Sequence, residues 1–107
     1  MDVLVVKQSL NFKEEMMKYT VVTGASSGIG RATAIKLANL GYNLIIVARR
    51  TDKLNELKSE INNKYPNIYV VVEPTDLSAK GEIEDLYQFI SKFELSMLLN
   101  IAGLGAS

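Results

Sequence analysis

The 107-residue chain has no histidine, no cysteine, no tryptophan and only two prolines. Without cysteine or histidine it has no disulfide framework, thiol nucleophile, zinc finger or imidazole base, and no metal site is expected. Net charge is lacking too. Twelve Lys and Arg balance twelve Asp and Glu, which argues against a broad nucleic-acid surface. No apolar run approaches the roughly 20 residues that span a bilayer. At the N-terminus Asp2 precedes a short apolar run, Val3 to Val6, unlike the basic region and long apolar stretch of a secretory signal. A cytoplasmic protein without membrane or nucleic-acid partners is the expectation.

What is present reads as one globular domain: 48% hydrophobic and 22% charged residues in a length near the lower end of the domain range. The charge is unevenly placed. Residues 17–58 carry seven Lys and Arg against two acids, whereas residues 59–107 carry three against seven. A first half that faces an anion would have this imbalance.

From Tyr19 onward the sequence alternates. Tyr19–Thr23 is a β-branched run that stops at Gly24. Residues 29–40 place Ile29, Thr33, Leu37 and Leu40 at helical spacing, with Gly41 as the C-cap glycine. Asn43–Ala48 is apolar throughout, as suits a strand covered on both faces. Thr51 is the expected N-cap of a second helix with Leu54, Leu57 and Ile61 on one face, closed by Pro66. Ile68–Val72 is the third strand. Ser78 is the expected cap of a third helix with the stripe Ile83, Leu86, Tyr87, Ile90 and Phe93, and Ser96–Ile101 is the fourth strand. The resulting β-α-β-α-β-α-β string calls for an α/β fold with a parallel sheet. Residues 1–16 stand outside the alternation as a leader or arm, and Met17 is a plausible natural start.

Between the first strand and the first helix lies Thr23-Gly24-Ala25-Ser26-Ser27-Gly28-Ile29-Gly30. Glycines at such a junction permit a sharp turn, backbone approach to a pyrophosphate and close packing of helix on strand. The helix N-terminus adds unpaired N–H donors. The spacing is G-x-x-x-G-x-G, and with Thr23 it resembles the TGxxxGxG signature of the short-chain dehydrogenase/reductase family. Asp76-Leu77 after the third strand and Asn100-Ile101-Ala102-Gly103 after the fourth fall where that family has its adenine-contacting Asp and its N-N-A-G motif. Ile101 departs from the usual second Asn. The likeness covers residues 17 to 107.

The resemblance implies a Rossmann-type doubly wound parallel sheet, here with strand order 3-2-1-4, in a partial dinucleotide-binding domain over 17–107. It implies that Gly24, Ser26, Ser27, Gly28, Ile29 and Gly30 line the phosphates and adenosine ribose. Asp76 and Leu77 would contact adenine, and Asn100, Ala102 and Gly103 would edge the cofactor cleft. The second strand ends Ala48-Arg49-Arg50. A carboxylate there would suit NAD, whereas a guanidinium pairs with a 2′-phosphate. NADP is therefore expected over NAD, with Arg49 as the main contact and Arg50 assisting.

The family's chemistry implies a Tyr acid with a Lys four residues later and a Ser that polarises the carbonyl of a carbonyl/alcohol substrate. The residues four after Tyr19, Tyr42, Tyr65, Tyr69 and Tyr87 are Thr23, Ile46, Tyr69, Glu73 and Ser91. None is Lys, so no catalytic residue is assigned. The chain reads as the cofactor-binding N-terminal portion of a longer oxidoreductase, inactive alone, with a standalone nucleotide-binding or assembly module as the alternative. The fourth strand (Met97, Leu98, Leu99, Ile101) lacks the charges or Pro that protect natural edges, so self-association there is expected.

Overall fold

The long β-branched and aliphatic runs form a four-stranded parallel sheet in the order β3-β2-β1-β4. In a computed structural model, which describes residues 17–26 and 28–101, the elements alternate. They are β1 (Lys18–Thr23), α1 (Gly28–Asn39), β2 (Asn43–Ala48), α2 (Thr51–Lys64), β3 (Val70–Pro74), α3 (Lys80–Ile90) and β4 (Glu94–Asn100). The strand order is the expected one.

Both faces of the central strands are covered, which is why β1 and β2 read as unbroken apolar runs. Val22, Leu44 and Ile46 pack with Ala34, Leu37, Leu54, Leu57 and Ile61 on the side of α1 and α2. Their neighbours Tyr19, Val21, Ile45 and Val47 point the other way, onto Leu86, Phe89, Ile90 and Phe93. Phe93 meets Tyr19 edge-on at 5.0 Å between ring centroids, a geometry that adds to simple burial.

Several local expectations change. The buried face of α1 is Gly30, Ala34, Leu37 and Ala38, while Ile29 and Leu40 are about 60% exposed. Small residues let the helix lie close to the sheet, so the larger apolar side chains at its two ends are left outside. Gly41 closes α1 as expected, its N–H bonding Ala38 O while Tyr42 N–H bonds Leu37 O, the paired bonds of a Schellman cap. Thr51 is the first residue of α2 rather than its cap; Arg50 holds the cap position and makes no side-chain cap hydrogen bond. Ser78 does not cap α3 either, since Ala79 occupies that position and the Ser78 hydroxyl is bonded to Asp76. On α3 Phe89 is buried in place of Tyr87, which is 59% exposed. Strand β3 runs two residues later than expected because its register pairs Leu44 with Val70 and Ala48 with Pro74. Pro74 is tolerated at the end of an edge strand, where no ladder donor is needed. Strand β4 begins at Glu94, and the pairing with β1 shifts at Tyr19/Thr20 as Leu95 gives way to Met97.

Among the described residues, no helix is long and apolar enough to cross a membrane. Residues 1–16 lie outside the described residues.

Candidate functional site

Strand order reverses between β1, which leads to α1 and then β2 on one side, and β4 on the other. In open α/β sheets, ligands bind at this switch point, beyond the carboxyl ends of the strands. Three connections meet there.

The first follows β1. Gly24 and Gly28 have φ of 65° and 62°, the left-handed region open to glycine at little cost. Between them Ala25 is fully buried and its N–H bonds Val47 O at 3.1 Å, which ties the loop to the end of β2. Gly30 lies against the loop itself: a Cβ there would be 1.9 Å from Gly24 O and 2.6 Å from Gly24 C. The first turn of α1 is therefore seated on the backbone of the bend. Around Gly28 the space where a Cβ would sit is open, so the backbone is bare on its outer side. Ile29, beside it, is exposed, and Ser26 is half-buried.

The second and third connections follow β2 and β3. Thr75 N–H bonds Ala48 O at 2.8 Å and brings Thr75-Asp76 alongside Ala48-Arg49. Asp76 accepts hydrogen bonds from Ser78 N at 3.0 Å and Ser78 Oγ at 2.6 Å, while its own N–H donates to Glu82 Oε1 at 2.8 Å. The Ser78 hydrogen bonds, with help from the Arg49 charge, hold the Asp76 carboxyl below the usual carboxylate range. Asp76 and Arg49 thus bring charges of opposite sign to one cleft.

Gly24, Ala48, Arg49, Thr75, Asp76, Leu77 and Ser78 together line a cleft of about 170 Å³. Four of the expected site residues, Gly24, Arg49, Asp76 and Leu77, thus share one space. Arg50 does not line it. Its guanidinium grips Asp52 instead, Nε to Oδ1 at 3.2 Å and Nη2 to Oδ2 at 2.8 Å. Asn100 borders a neighbouring groove with Thr23, Leu77 and Leu98, and its Oδ1 accepts the Thr23 hydroxyl at 2.9 Å. That bond joins the ends of β1 and its edge neighbour β4. Ser27, Ala102 and Gly103 lie outside the described residues. Sequence reasoning missed Ala48, Thr75 and Ser78 as lining residues; their direct adjacency to Arg49, Asp76 and Leu77 respectively was the available signal.

A glycine bend opening a helix, a cation beyond β2 and a small cleft at the ends of β1, β2 and β3 are the features of a doubly wound α/β unit. The chain matches the short chain dehydrogenase family over residues 18–107 and belongs to it. It is 42% identical to the very-long-chain 3-oxoacyl-CoA reductase of Caenorhabditis briggsae over 88 residues, 80% of this chain and 28% of that protein. Among solved structures it resembles YwfH, an NADPH-dependent reductase involved in bacilysin biosynthesis, at 35% identity and a TM-score of 0.67, covering 69% of this chain and 31% of that one. It also resembles an alcohol dehydrogenase of Thermococcus sibiricus complexed with 5-hydroxy-NADP, at 35% identity and a TM-score of 0.65, covering 72% and 33%. The chain spans about a quarter of the length of the curated relatives it matches.

Proposed function

We propose that this chain is the cofactor-binding unit of an NADP-dependent reductase that acts on a carbonyl/alcohol pair. The single observation that carries the reading is that Gly24, the first residue of the bend, and Arg49 line one cleft, while the space outside Gly28 is open. The bend and the N-terminus of α1 offer amides to a diphosphate, Leu77 and Asp76 flank an adenine, and the Arg49 guanidinium takes the 2′-phosphate in a bidentate pair. NADPH, once bound, supplies the hydride.

The likeness to 3-oxoacyl-CoA reductases supports a β-keto thioester as the substrate of the complete enzyme. No Tyr in these 107 residues is followed four positions later by Lys, so we propose that this chain alone binds the cofactor without turning over substrate. Fluorescence titration with NADPH and NADH tests the reading. The expected result is tighter NADPH binding, with the preference lost in Arg49→Ala. Equal affinity for both cofactors in the unmodified chain would refute it.

A further inference from the structure

We propose that Asp52 sets the cofactor selectivity of this site by holding Arg50 away from the 2′-phosphate, so that phosphate recognition rests on Arg49 alone. This inference rests on the NADP reading above and concerns a residue that reading does not use.

Two arginines follow β2, yet they do different things. Arg49 lines the cleft. Arg50, one residue on, directs its fork at Asp52 through two hydrogen bonds, the geometry in which guanidinium and carboxylate pair best. Asp52 is itself fixed. It sits in the first turn of α2, where an acid is favoured by the helix dipole. The Arg50 hydrogen bond keeps its carboxyl below the ordinary value, with smaller help from the backbone N–H groups of Lys53 and of Asp52 itself. Glu56, one turn further on, adds a weaker attraction on Arg50. An incoming phosphate must therefore compete for Arg50 with a carboxylate two residues away, in an exposed pair that its short tether favours. It must also approach a fixed negative charge at Asp52. Both effects act on the 2′-phosphate and neither acts on a free 2′-hydroxyl.

The test is a double-mutant cycle in the full 107-residue chain, reading dissociation constants for NADPH and NADH in the unmodified protein, Asp52→Asn, Arg50→Met and the double variant. Asp52→Asn should tighten NADPH by about three- to tenfold and leave NADH unchanged, as one exposed charge pair is gained and one repulsion removed. Arg50→Met alone should change NADPH affinity by less than about twofold, because in the unmodified chain Arg50 is already engaged. In the Arg50→Met background, the share of the Asp52→Asn gain that comes from freeing Arg50 should vanish, leaving a smaller gain from the removed repulsion. The inference is overturned if Asp52→Asn weakens NADPH, shifts both cofactors equally, or acts with the same size when Arg50 is absent. If the unmodified chain shows no preference for NADPH, or Arg49→Ala keeps it, the NADP reading has failed and this inference goes with it. A preference that Arg49→Ala removes, together with a flat response to Asp52→Asn, sinks this inference alone.

Discussion

Gly30→Ala is the substitution on which two physical effects disagree in sign. Gly30 is in the first turn of α1, and a helical Gly→Ala change with no steric conflict stabilises by roughly 0.5–1 kcal/mol, through backbone entropy and helix propensity. Here the added methyl would meet Gly24 O at 1.9 Å, where contacts under 3.0 Å are essentially never seen. Helix and loop must separate by at least about 1.1 Å to relieve that contact alone. The obstacle is backbone, so no rotamer change can help, and the loop is anchored by the Ala25 N–H to Val47 O bond. Overpacking of this kind costs about 1–3 kcal/mol. With immovable atoms we expect the upper end, a net loss of about 2 kcal/mol, and a drop in Tm on the order of 10 °C. Gly81→Ala is the control. Gly81 lies in the first turn of α3 with nothing within 4 Å of its missing Cβ, so that variant should hold or raise stability. Urea unfolding of both variants decides the matter. If Gly30→Ala is as stable as the unmodified chain, or more so, the helix does not rest on the bend and the phosphate-facing geometry argued from it is wrong.

Three further outcomes follow from the same structure. Thr20 is fully buried on β1 between Leu44 and Met97, and its hydroxyl has no hydrogen-bond partner among the described residues. Thr20→Val should therefore stabilise by about 1 kcal/mol, read as a higher urea midpoint at constant slope; a lower midpoint would mean the hydroxyl is satisfied. Arg49→Ala should weaken NADPH binding about tenfold and NADH binding less than twofold, as titration of both cofactors would reveal. The pH dependence is also specific. Asp52 and Asp76 both sit below the ordinary 3.8, through the hydrogen bonds from Arg50 and Ser78 respectively. What they contribute is complete above that value and lost only as pH falls through their lower folded values. The chain has no histidine. Between about pH 8 and pH 5, the 2′-phosphate, with a second pKa near 6, is thus the group expected to change charge at the cleft. Calorimetry should show NADP+ affinity falling severalfold over that range while NAD+ affinity holds steady; parallel curves would contradict the assignment.

The alternation of strands and helices was legible because each central strand is apolar on both faces and each connection is short. The bend was legible for a related reason: three glycines in a strand-to-helix junction have few uses other than close approach. Harder to read was which side of α1 faces the sheet. Large apolar residues such as Ile29 and Leu40 drew the periodicity, whereas the burial belongs to Gly30, Ala34 and Ala38, whose smallness is what allows contact. Tyr87 and Phe89 pose the same problem two residues apart on α3, on opposite sides of the helix, with only the phenyl ring buried. Arg49 and Arg50 are chemically identical in the sequence. They are separated only by the backbone turn into α2, which aims one at the cleft and the other at Asp52. Ser78 looked like a cap because serine prefers that role, but the Asp76 carboxylate competes for it and wins.

The most direct measurement is a crystal structure of this chain grown with NADP+. It should place the diphosphate against the backbone of Gly24–Gly30 and the 2′-phosphate within hydrogen-bond distance of the Arg49 guanidinium, with Arg50 still on Asp52. A coenzyme bound elsewhere, or a 2′-phosphate pointing into solvent away from Arg49, would contradict the account.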